Sequence, residues 1–458
     1  MNRIVSTNPA ENYSIVGEVT KSTVEEIAEK VKKANSAKKV WKELGVKKRI
    51  ELLKPVYKEF ETRIEEIALL ISKEMGKPIT RSTYEVTWNL GEFKWFMNTV
   101  ESAIADEITH EDEKSLHRIV YEPIGSVALI TPWNFPFGMA IWGIIPNLLV
   151  GNTVVFKISE ETPLVGRLIE EVFSKHKLPE GVFSEVYGAG DVGKQLSEEK
   201  IDFIWFTGSS KVGKSLYKTA ADKFIKILLE MGGSSPCIVF DDVDIAQSAQ
   251  LMADYRFQNC GQACDAIKRG IVHESIFDEF ITELKKVTEK KKVGNPLKKD
   301  TEIGSLVAKR QLILLQEQVQ DTIDKGATIV TGGKTPEGFQ GAFYEPTIIT
   351  NVTKNMRVWK EEVFGPVLPV VSFKTEEEAI ELANDTIYGL TSRVITKDNG
   401  RAERVTSQIE TGTVEINSGD RWLSCNPFGG YKQSGLGREH GITGFRELCQ
   451  VKVISKSK

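Results

Sequence analysis

The sequence Gly125-Ser126-Val127-Ala128-Leu129-Ile130-Thr131-Pro132-Trp133-Asn134 joins a run of apolar residues to a turn that carries a side-chain amide. An apolar run without polar alternation predicts a strand, Ser126–Thr131, that is covered on both faces. Similar runs recur at Thr153–Ile158, Phe183–Tyr187, Phe203–Phe206 and Ile225–Leu229, with helical patterns between them at 138–150, 163–176, 192–198 and 211–222. This alternation predicts a parallel sheet with helices on both faces, which binds ligands where its strands end.

A second alternating region runs from Cys237 to about Asn417. Its predicted strands are Cys237–Phe240, Ile271–His273, Thr328–Thr331, Val367–Phe373 and Thr413–Ile416. The first hundred residues predict helices, one capped by Ser22-Thr23 and one from about Lys47 to Met75 that ends at Gly76. The simplest fold is therefore two α/β domains.

The composition is that of a globular chain, because 40% of its 458 residues are hydrophobic and 27% are charged. A net charge of -4 offers no basic field for nucleic acid or for a membrane surface. The five cysteines are too few for a disulfide framework, which predicts reduced thiols and a cytoplasmic protein. The histidines and cysteines show no metal-ligand spacing, so no metal is predicted. No secretory leader is predicted, and the most apolar run, 135–150, is shorter than the roughly 20 residues of a membrane span.

Two glycine-rich turns carry phosphate-binding patterns. Residues 188–193 spell GxGxxG after a strand, but Gly208 to Ser210 stand where an acid is expected about 20 residues later. Gly208-Ser209-Ser210-Lys211-Val212-Gly213-Lys214-Ser215 spells GxxxxGK[ST], and Asp241-Asp242 end an apolar strand, as a magnesium-holding strand would. A P-loop nucleotide hydrolase is therefore one functional alternative, although it explains nothing outside residues 203–242.

A third set of motifs extends along most of the chain. Its members are Pro132-Trp133-Asn134-Phe135-Pro136, Leu229-Glu230-Met231-Gly232-Gly233, Phe257-Gln258-Asn259-Cys260-Gly261-Gln262-Ala263-Cys264, Glu361-Glu362-Val363-Phe364-Gly365-Pro366 and Pro427-Phe428-Gly429-Gly430. In this order and at these separations, the motifs resemble the NAD(P)-dependent aldehyde dehydrogenase superfamily. The short length and the segment Glu74-Met75-Gly76-Lys77-Pro78-Ile79 are most similar to its succinate-semialdehyde and lactaldehyde branch.

The resemblance implies two Rossmann-type α/β domains and a small β oligomerisation arm. The dinucleotide-binding domain is expected at 1–104 and 124–232, and the catalytic domain at 233–446. The arm would comprise 105–123 and 447–458, and a homodimer or homotetramer is expected because an exposed edge strand needs a partner.

The same resemblance assigns four catalytic residues. Cys264 matches the nucleophile, which forms a thiohemiacetal and then a thioester with the aldehyde. Asn134 matches the oxyanion donor, and Glu230 matches the base that activates water for thioester hydrolysis. Glu439 resembles a second acid that relays protons. Transfer of the acyl group to coenzyme A is an alternative to hydrolysis, but Glu230 favours hydrolysis.

The predicted coenzyme is NAD, with NADP as an alternative. Glu160 would accept hydrogen bonds from the adenosine ribose and repel a 2′-phosphate, whereas Lys157 could pair with that phosphate. Under the resemblance the two glycine-rich turns bind the dinucleotide, so no ATP is expected. The expected coenzyme contacts are Ile130, Pro132, Trp133, Lys157, Ser159, Glu160, Gly190, Phe206, Gly208, Ser209, Val212, Glu362 and Phe364.

The substrate is predicted to be a short, polar aldehyde. Trp142 and Trp422 match positions that line the aldehyde tunnel, and Arg421 could bind a carboxylate or hydroxyl group of the substrate. Asp265 departs from the family, which has a small or apolar residue after the nucleophile. If Asp265 points inward it should raise the pKa of Cys264, and a contact with Arg269 would weaken that effect.

Overall fold

The computed structural model describes residues 3–418 and 423–458. The helices are α1 (Val24–Glu43), α2 (Gly45–Thr62), α3 (Ile64–Met75), α4 (Ile79–Ala103), α5 (Pro136–Val150), α6 (Pro163–Lys175), α7 (Gly190–Glu198), α8 (Ser210–Lys223), α9 (Ile245–Phe257), α10 (Phe277–Glu289), α11 (Lys309–Asp324), α12 (Arg357–Lys360), α13 (Glu376–Asn384), α14 (Asn399–Thr406) and α15 (Gly441–Glu447). The strands are β1 (Arg3–Asn8), β2 (Ser14–Thr20), β3 (Glu107–Glu111), β4 (Ser115–Pro123), β5 (Ser126–Ile130), β6 (Thr153–Lys157), β7 (Phe183–Glu185), β8 (Phe203–Gly208), β9 (Lys226–Met231), β10 (Ser235–Val239), β11 (Ile267–His273), β12 (Thr328–Thr331), β13 (Thr347–Thr350), β14 (Val367–Phe373), β15 (Tyr388–Gly389), β16 (Thr391–Ile395), β17 (Thr413–Ile416), β18 (Tyr431–Lys432), β19 (Gly435–Leu436) and β20 (Cys449–Ser457).

The first sheet has six strands in the order β19-β9-β8-β5-β6-β7, and only β19 is antiparallel to its neighbour. Along β5, Val127 and Leu129 pack into one core, whereas Ala128 and Ile130 pack into the core on the opposite face. Successive side chains of a strand point to opposite faces, so an unbroken apolar run fits a sheet with helices on both sides.

The second sheet has seven strands in the order β12-β13-β14-β11-β10-β16-β17, with only β12 antiparallel. It too separates two cores, since Cys237 and Val239 of β10 face one core and Ile238 faces the other. The predicted α/β class with two parallel-rich sheets is therefore confirmed. A third, antiparallel sheet, β20-β4-β3, joins the two segments predicted to form the arm.

Two expectations for the first hundred residues were wrong. The chain begins with the β1–β2 hairpin, whose mixed polar and half-exposed residues gave no clear apolar pattern. The single helix predicted from Lys47 to Met75 is two helices, because Arg63 leaves helical geometry at φ −113° and ψ 18°. This break lets Phe60 and Ile67, on either side of it, enter the same core. The predicted stop at Gly76 is confirmed, with φ 79°.

The domain boundaries stay a prediction, and the topology points to one change in them. Strand β19 lies within 233–446 yet pairs with β9 of the first sheet, so its segment belongs structurally with that sheet. Among the described residues, no helix combines the length and apolar character needed to cross a bilayer.

Candidate active site

The first sheet gathers four of the predicted site residues at one edge. Asn134 follows β5, Lys157 ends β6, Gly208 ends β8, and Glu230 is the penultimate residue of β9. These strands are neighbours in the order β9-β8-β5-β6, and all run in the same direction. Their carboxyl ends therefore form one rim, which is where such sheets bind ligands.

The loop before Cys264 is held in an unusual backbone conformation. Asn259, Cys260 and Gly261 all have left-handed φ angles, of 50°, 56° and 71°. A Cβ atom at Gly261 would lie 2.2 Å from the Gly365 carbonyl oxygen, so the close approach requires glycine. Gln262 is fully buried, and its side-chain oxygen accepts a 2.9 Å hydrogen bond from the Val307 N–H. This packing fixes the chain that leads to Cys264.

Cys264 has a partly buried side chain in a strongly charged setting. All five cysteines carry free thiols, and Cys260 is buried with its sulfur 3.6 Å from the Gly304 carbonyl oxygen. Burial raises the pKa of the Cys264 thiol well above its usual range, Asp265 raises it further, and Lys268 lowers it. Asp265 therefore acts on the thiol, and Arg269 does not shield it, since the hydrogen bonds of Arg269 go to backbone carbonyls.

Asn134 is buried beside the nucleophile loop. Its side-chain nitrogen donates a 3.1 Å hydrogen bond to the Gln262 carbonyl, two residues before Cys264. A primary amide has two N–H groups, so one remains for a ligand. The geometry thus joins the end of β5 to the loop that carries the thiol.

Glu230 and Glu439 form a buried pair of carboxyl groups. In the described part of the chain, neither Glu230 oxygen has a hydrogen-bond partner. Burial and the Glu439 charge raise the pKa of Glu230 well above the ordinary carboxyl range, and Arg438 opposes them. Burial also raises the pKa of Glu439 to about 8, although the Thr207 hydroxyl, 3.5 Å away, lowers it. The Glu230 charge in turn raises the pKa of Cys264, which links the three groups.

The residues predicted for the adenosine end meet at the start of α7. The Lys157 ammonium is buried, donates a 3.0 Å hydrogen bond to the Ile158 carbonyl, and lies 3.6 Å from a Glu160 oxygen. Burial lowers the pKa of Lys157, and Glu160 raises it. A Cβ atom at Gly193 would lie 3.5 Å from the Lys157 side chain and 3.8 Å from that of Ile130, whereas one at Gly190 would meet no atom within 4 Å. Buried Ser159 lies between Lys157 and Glu160.

The turn from β8 to α8 presents a capped helix. The Ser209 hydroxyl accepts a 3.4 Å hydrogen bond from the Val212 N–H, and Val212 is exposed. A Cβ atom at Gly208 would lie 2.5 Å from the buried Phe206 ring, so a side chain has no room there. The capped N-terminus of α8 could hold a pyrophosphate.

The structure separates the two parts of the P-loop alternative. Lys214 and Ser215 are exposed on α8 beside the first sheet, whereas Asp242 follows β10 of the second sheet. The Asp242 carboxylate accepts hydrogen bonds from the Thr396 hydroxyl and from two backbone N–H groups. Asp242 therefore stabilises the turn after β16 in the second sheet, far in the chain from the glycine-rich turn.

Glu362 and Phe364 contact Lys268, a residue of β11 that the sequence analysis did not single out. Lys268 in turn contacts the Cys264 backbone. The buried Lys268 ammonium donates to a Glu362 oxygen, to the Cys264 carbonyl at 3.0 Å and to the Gly233 carbonyl at 2.7 Å. It also lies 5.1 Å from the centre of the Phe364 ring, which is nearly perpendicular to the Trp133 ring at a centroid distance of 5.5 Å. Its neighbour Arg269 is a second buried cation on β11, so charge alone would not have singled out Lys268.

The proposed substrate residues are partly described. Trp142 is half-buried, with its ring 4.2 Å from the His440 ring and 6.3 Å from the Phe428 ring. His440 directly follows Glu439, so Trp142 lies close to the acid pair. Arg421 and Trp422 lie outside the described residues.

Comparison with known proteins places the chain in a family. The sequence profile of the aldehyde dehydrogenase family matches residues 1–454. A protein of Staphylococcus aureus strain bovine RF122 / ET3-1, named "Putative aldehyde dehydrogenase", is 39% identical over 452 residues, which cover 98% of this chain and 94% of that protein. A Staphylococcus epidermidis protein of the same name is 38% identical with the same coverage.

Solved structures agree with this relationship. The betaine aldehyde dehydrogenase of Staphylococcus aureus in complex with NAD⁺ has a TM-score of 0.95 at 35% identity, covering 99% of this chain and 91% of the other. An NADP-dependent enzyme of E. coli has a TM-score of 0.95 at 32% identity, covering 100% and 95%. The chain therefore belongs to the aldehyde dehydrogenase family. The sequence prediction of an NAD(P)-dependent aldehyde dehydrogenase is confirmed.

Proposed function

We propose that this enzyme oxidises a short, polar aldehyde to its carboxylic acid, with NAD as the preferred coenzyme. The observation that carries the proposal is the buried Glu230 carboxyl group, whose oxygens have no hydrogen-bond partner in the described chain and whose charge acts on Cys264. A buried polar group without a partner is costly, and such groups concentrate where a ligand or a reaction uses them.

In the first step the Cys264 thiolate adds to the aldehyde carbonyl carbon. The negative charge that develops on oxygen would be held by the free N–H of the Asn134 side chain and by the Cys264 backbone N–H. Removing one such donor in other enzymes costs about 10²–10³ in rate. When bound, NAD(P)⁺ would supply the hydride acceptor, and loss of the hydride from carbon and of the hydroxyl proton would turn the thiohemiacetal into a thioester.

In the second step Glu230 takes a proton from water, which attacks the thioester and releases the acid. A general base works best when its pKa lies near the working pH, and burial moves the pKa of Glu230 in that direction. Glu439, whose charge raises the pKa of Glu230, would pass the proton onward. Acyl transfer to coenzyme A is the second candidate for this step. Hydrolysis is favoured because Glu230 is a buried base whose charge acts on Cys264.

The NAD preference rests on Glu160, which lies 3.6 Å from the Lys157 ammonium. Because Lys157 is paired with Glu160, its ammonium is less able to bind a 2′-phosphate. The Glu160 carboxylate would also repel that phosphate. The residues fit a dinucleotide, since Ile130 and Lys157 lie beside Gly193 of α7, Gly190 leaves open space at the start of that helix, and Ser209 caps α8. NAD⁺ is bound in the Staphylococcus aureus relative, whereas the E. coli relative is NADP-dependent. NADP is therefore the alternative coenzyme.

The substrate and the assembly are further parts of the proposal. We propose that Trp142 forms an aromatic wall of the pocket, and that Arg421 and Trp422 complete its far end. A homodimer or homotetramer is proposed because β20 is an edge strand with exposed Val451 and Val453. Sedimentation of the enzyme with and without residues 447–458 tests the assembly.

The test of the function is a panel of short polar and long alkyl aldehydes with NAD and NADP, followed by NAD(P)H absorbance. Cys264→Ala should abolish the activity, and Glu230→Gln should produce a single burst of NADH and then stop, because the thioester persists. Cys237→Ala, which removes a core thiol from β10, is the matched control and should stay active. Activity that survives Cys264→Ala would refute the mechanism, and a larger kcat/KM with NADP would refute the coenzyme preference.

A further inference from the structure

A buried ion pair lies directly beneath Asn134. Lys77 and Glu85 come from the turn between α3 and α4 and from the second turn of α4, and their side chains are 0% and 2% exposed. Removing two charges from water costs several kcal/mol per ion in proteins, and replacing such pairs by apolar residues often stabilises the fold. Stability alone therefore does not explain this pair.

Lys77 holds the backbone of Asn134. Its ammonium donates a 2.9 Å hydrogen bond to the Asn134 carbonyl oxygen and donates to a Glu85 oxygen. The same ammonium lies 4.0 Å from the centre of the Phe135 ring, a favourable cation–π contact. One cation thus contacts two successive residues of the turn that follows β5.

Glu85 holds the other end of that turn. Its second oxygen accepts hydrogen bonds of 3.1 Å from the backbone N–H groups of Phe137 and Gly138, in the first turn of α5. Carboxylates are favourable at a helix N-terminus, where backbone N–H groups lack helical partners. The ion pair therefore spans the turn from Asn134 to Gly138.

The nucleophile loop contacts the same carbonyl group from the other side. The Asn259 side-chain nitrogen donates to the Asn134 carbonyl oxygen at 2.9 Å and to the Gln262 carbonyl oxygen at 3.1 Å. Gln262 also accepts from the Asn134 side chain. Asn134 is thus fixed through its backbone by Lys77 and Asn259, and this leaves its side-chain amide directed at the loop before Cys264.

We propose that the Lys77–Glu85 ion pair is a positioning device for Asn134, which sets the direction of the oxyanion-stabilising amide. The inference rests on the proposed role of Asn134. Oxyanion donors act only when they stand about 2.7–3.1 Å from the developing charge, so a small shift of the turn loses most of the effect. The two charged side chains fix the backbone of the turn from Asn134 to Gly138, and with it the direction of the Asn134 amide.

The test compares two reactions of Cys264 that need no coenzyme. Acylation by p-nitrophenyl acetate develops an oxyanion, whereas alkylation by iodoacetamide does not. The double variant Lys77→Met/Glu85→Gln removes both charges together and leaves no charge unpaired. It should slow acylation by about 10–100-fold, less than the loss of an oxyanion donor because the amide is displaced and not removed, and leave alkylation within about twofold. The surface pair variant Lys58→Met/Glu61→Gln is the matched control and should change neither rate.

A double-mutant cycle separates positioning from general damage. Once Asn134→Ala has removed the amide, the ion-pair substitutions should change the acylation rate by less than about threefold. Equal slowing with and without Asn134, or equal slowing of acylation and alkylation, would overturn the proposal. Normal acylation in Asn134→Ala alone would instead contradict the proposed role of Asn134.

If the double variant does not fold, Glu85→Gln alone serves the same test. Its side-chain oxygen can still accept from the α5 N–H groups while the ion pair is lost. Selective slowing of acylation supports the proposal, and an unchanged acylation rate refutes it.

Discussion

The residue after the nucleophile offers the sharpest test of the electrostatics at this site. Asp265 raises the pKa of the Cys264 thiol, and no guanidinium from Arg269 offsets it. We expect Asp265→Asn, which keeps the shape and removes the charge, to lower that pKa. The alkylation rate of Cys264 should then rise near neutral pH, because more thiolate is present.

The size of the effect follows from the charge separation. Two charges about 7 Å apart, as for adjacent side chains, interact by about 2.4 kcal/mol at an effective dielectric constant near 20. Asp265 is partly exposed, so solvent screening reduces this interaction to about 1.4 kcal/mol. That free energy corresponds to about ten times more thiolate, but each thiolate is then about threefold less nucleophilic. The net rise is about threefold near neutral pH, and the plateau at alkaline pH falls by about threefold.

The assay is the rate of iodoacetamide alkylation from neutral to alkaline pH, with the modified Cys264 identified by mass spectrometry. Asp278→Asn, an exposed acid on α10, is the control and should leave the profile unchanged. A profile for Asp265→Asn that coincides with that of the parent, or moves to higher pH, would refute the reasoning.

Three other predictions concern the buried carboxyl groups and the nucleophile loop. Glu439→Gln removes a like charge that raises the pKa of Glu230, so the acid limb of the kcat profile should move to lower pH; a move to higher pH would contradict the coupling. Gly261→Ala puts a Cβ atom 2.2 Å from the Gly365 carbonyl oxygen at φ 71°. The free energy of unfolding in urea should fall by about 2–4 kcal/mol. The control Gly326→Ala, whose Cβ would meet nothing within 4 Å, should lower it by about 1 kcal/mol. Burial raises the pKa of Glu74 to about 7 from 4.5, so the folded state binds the proton more tightly and the free energy of unfolding should fall by up to about 3 kcal/mol as the pH rises through that interval. Glu74→Gln should remove that slope, and an unchanged slope in denaturant titrations would show that other groups cause it.

The parts of the fold that were predicted share one property: their signal is local. The run from Val127 to Ile130 is apolar at every position, as a strand covered on both faces requires, and Gly76 ends α3 because it adopts a left-handed φ angle. The helix break at Arg63 was not predictable in this way. It depends on how Phe60 and Ile67 reach a common core, and that is a tertiary requirement.

The site residues likewise fall into those that a local sequence signal revealed and those that only the structure revealed. Because they stand in motifs that resemble those of the family, Cys264, Glu230 and Asn134 were identifiable as candidates. Lys268, Lys77 and Glu85 were not, because each acts through partners distant in the chain, as in the 2.9 Å contact between Lys77 and the Asn134 carbonyl. Charge alone did not mark them, since Lys268 stands beside Arg269 in β11.

The order of apolar and polar residues along the chain predicted two parallel-rich sheets, and the motifs resembled those of one family, since both signals are properties of short segments. The chemical state of the site was decided only on folding. Burial and the Glu439 charge raise the pKa of Glu230, and burial raises the pKa of Cys264 while Lys268 lowers it. Such effects depend on the distance between charges and on the exclusion of water, and both exist only once the two sheets have packed together.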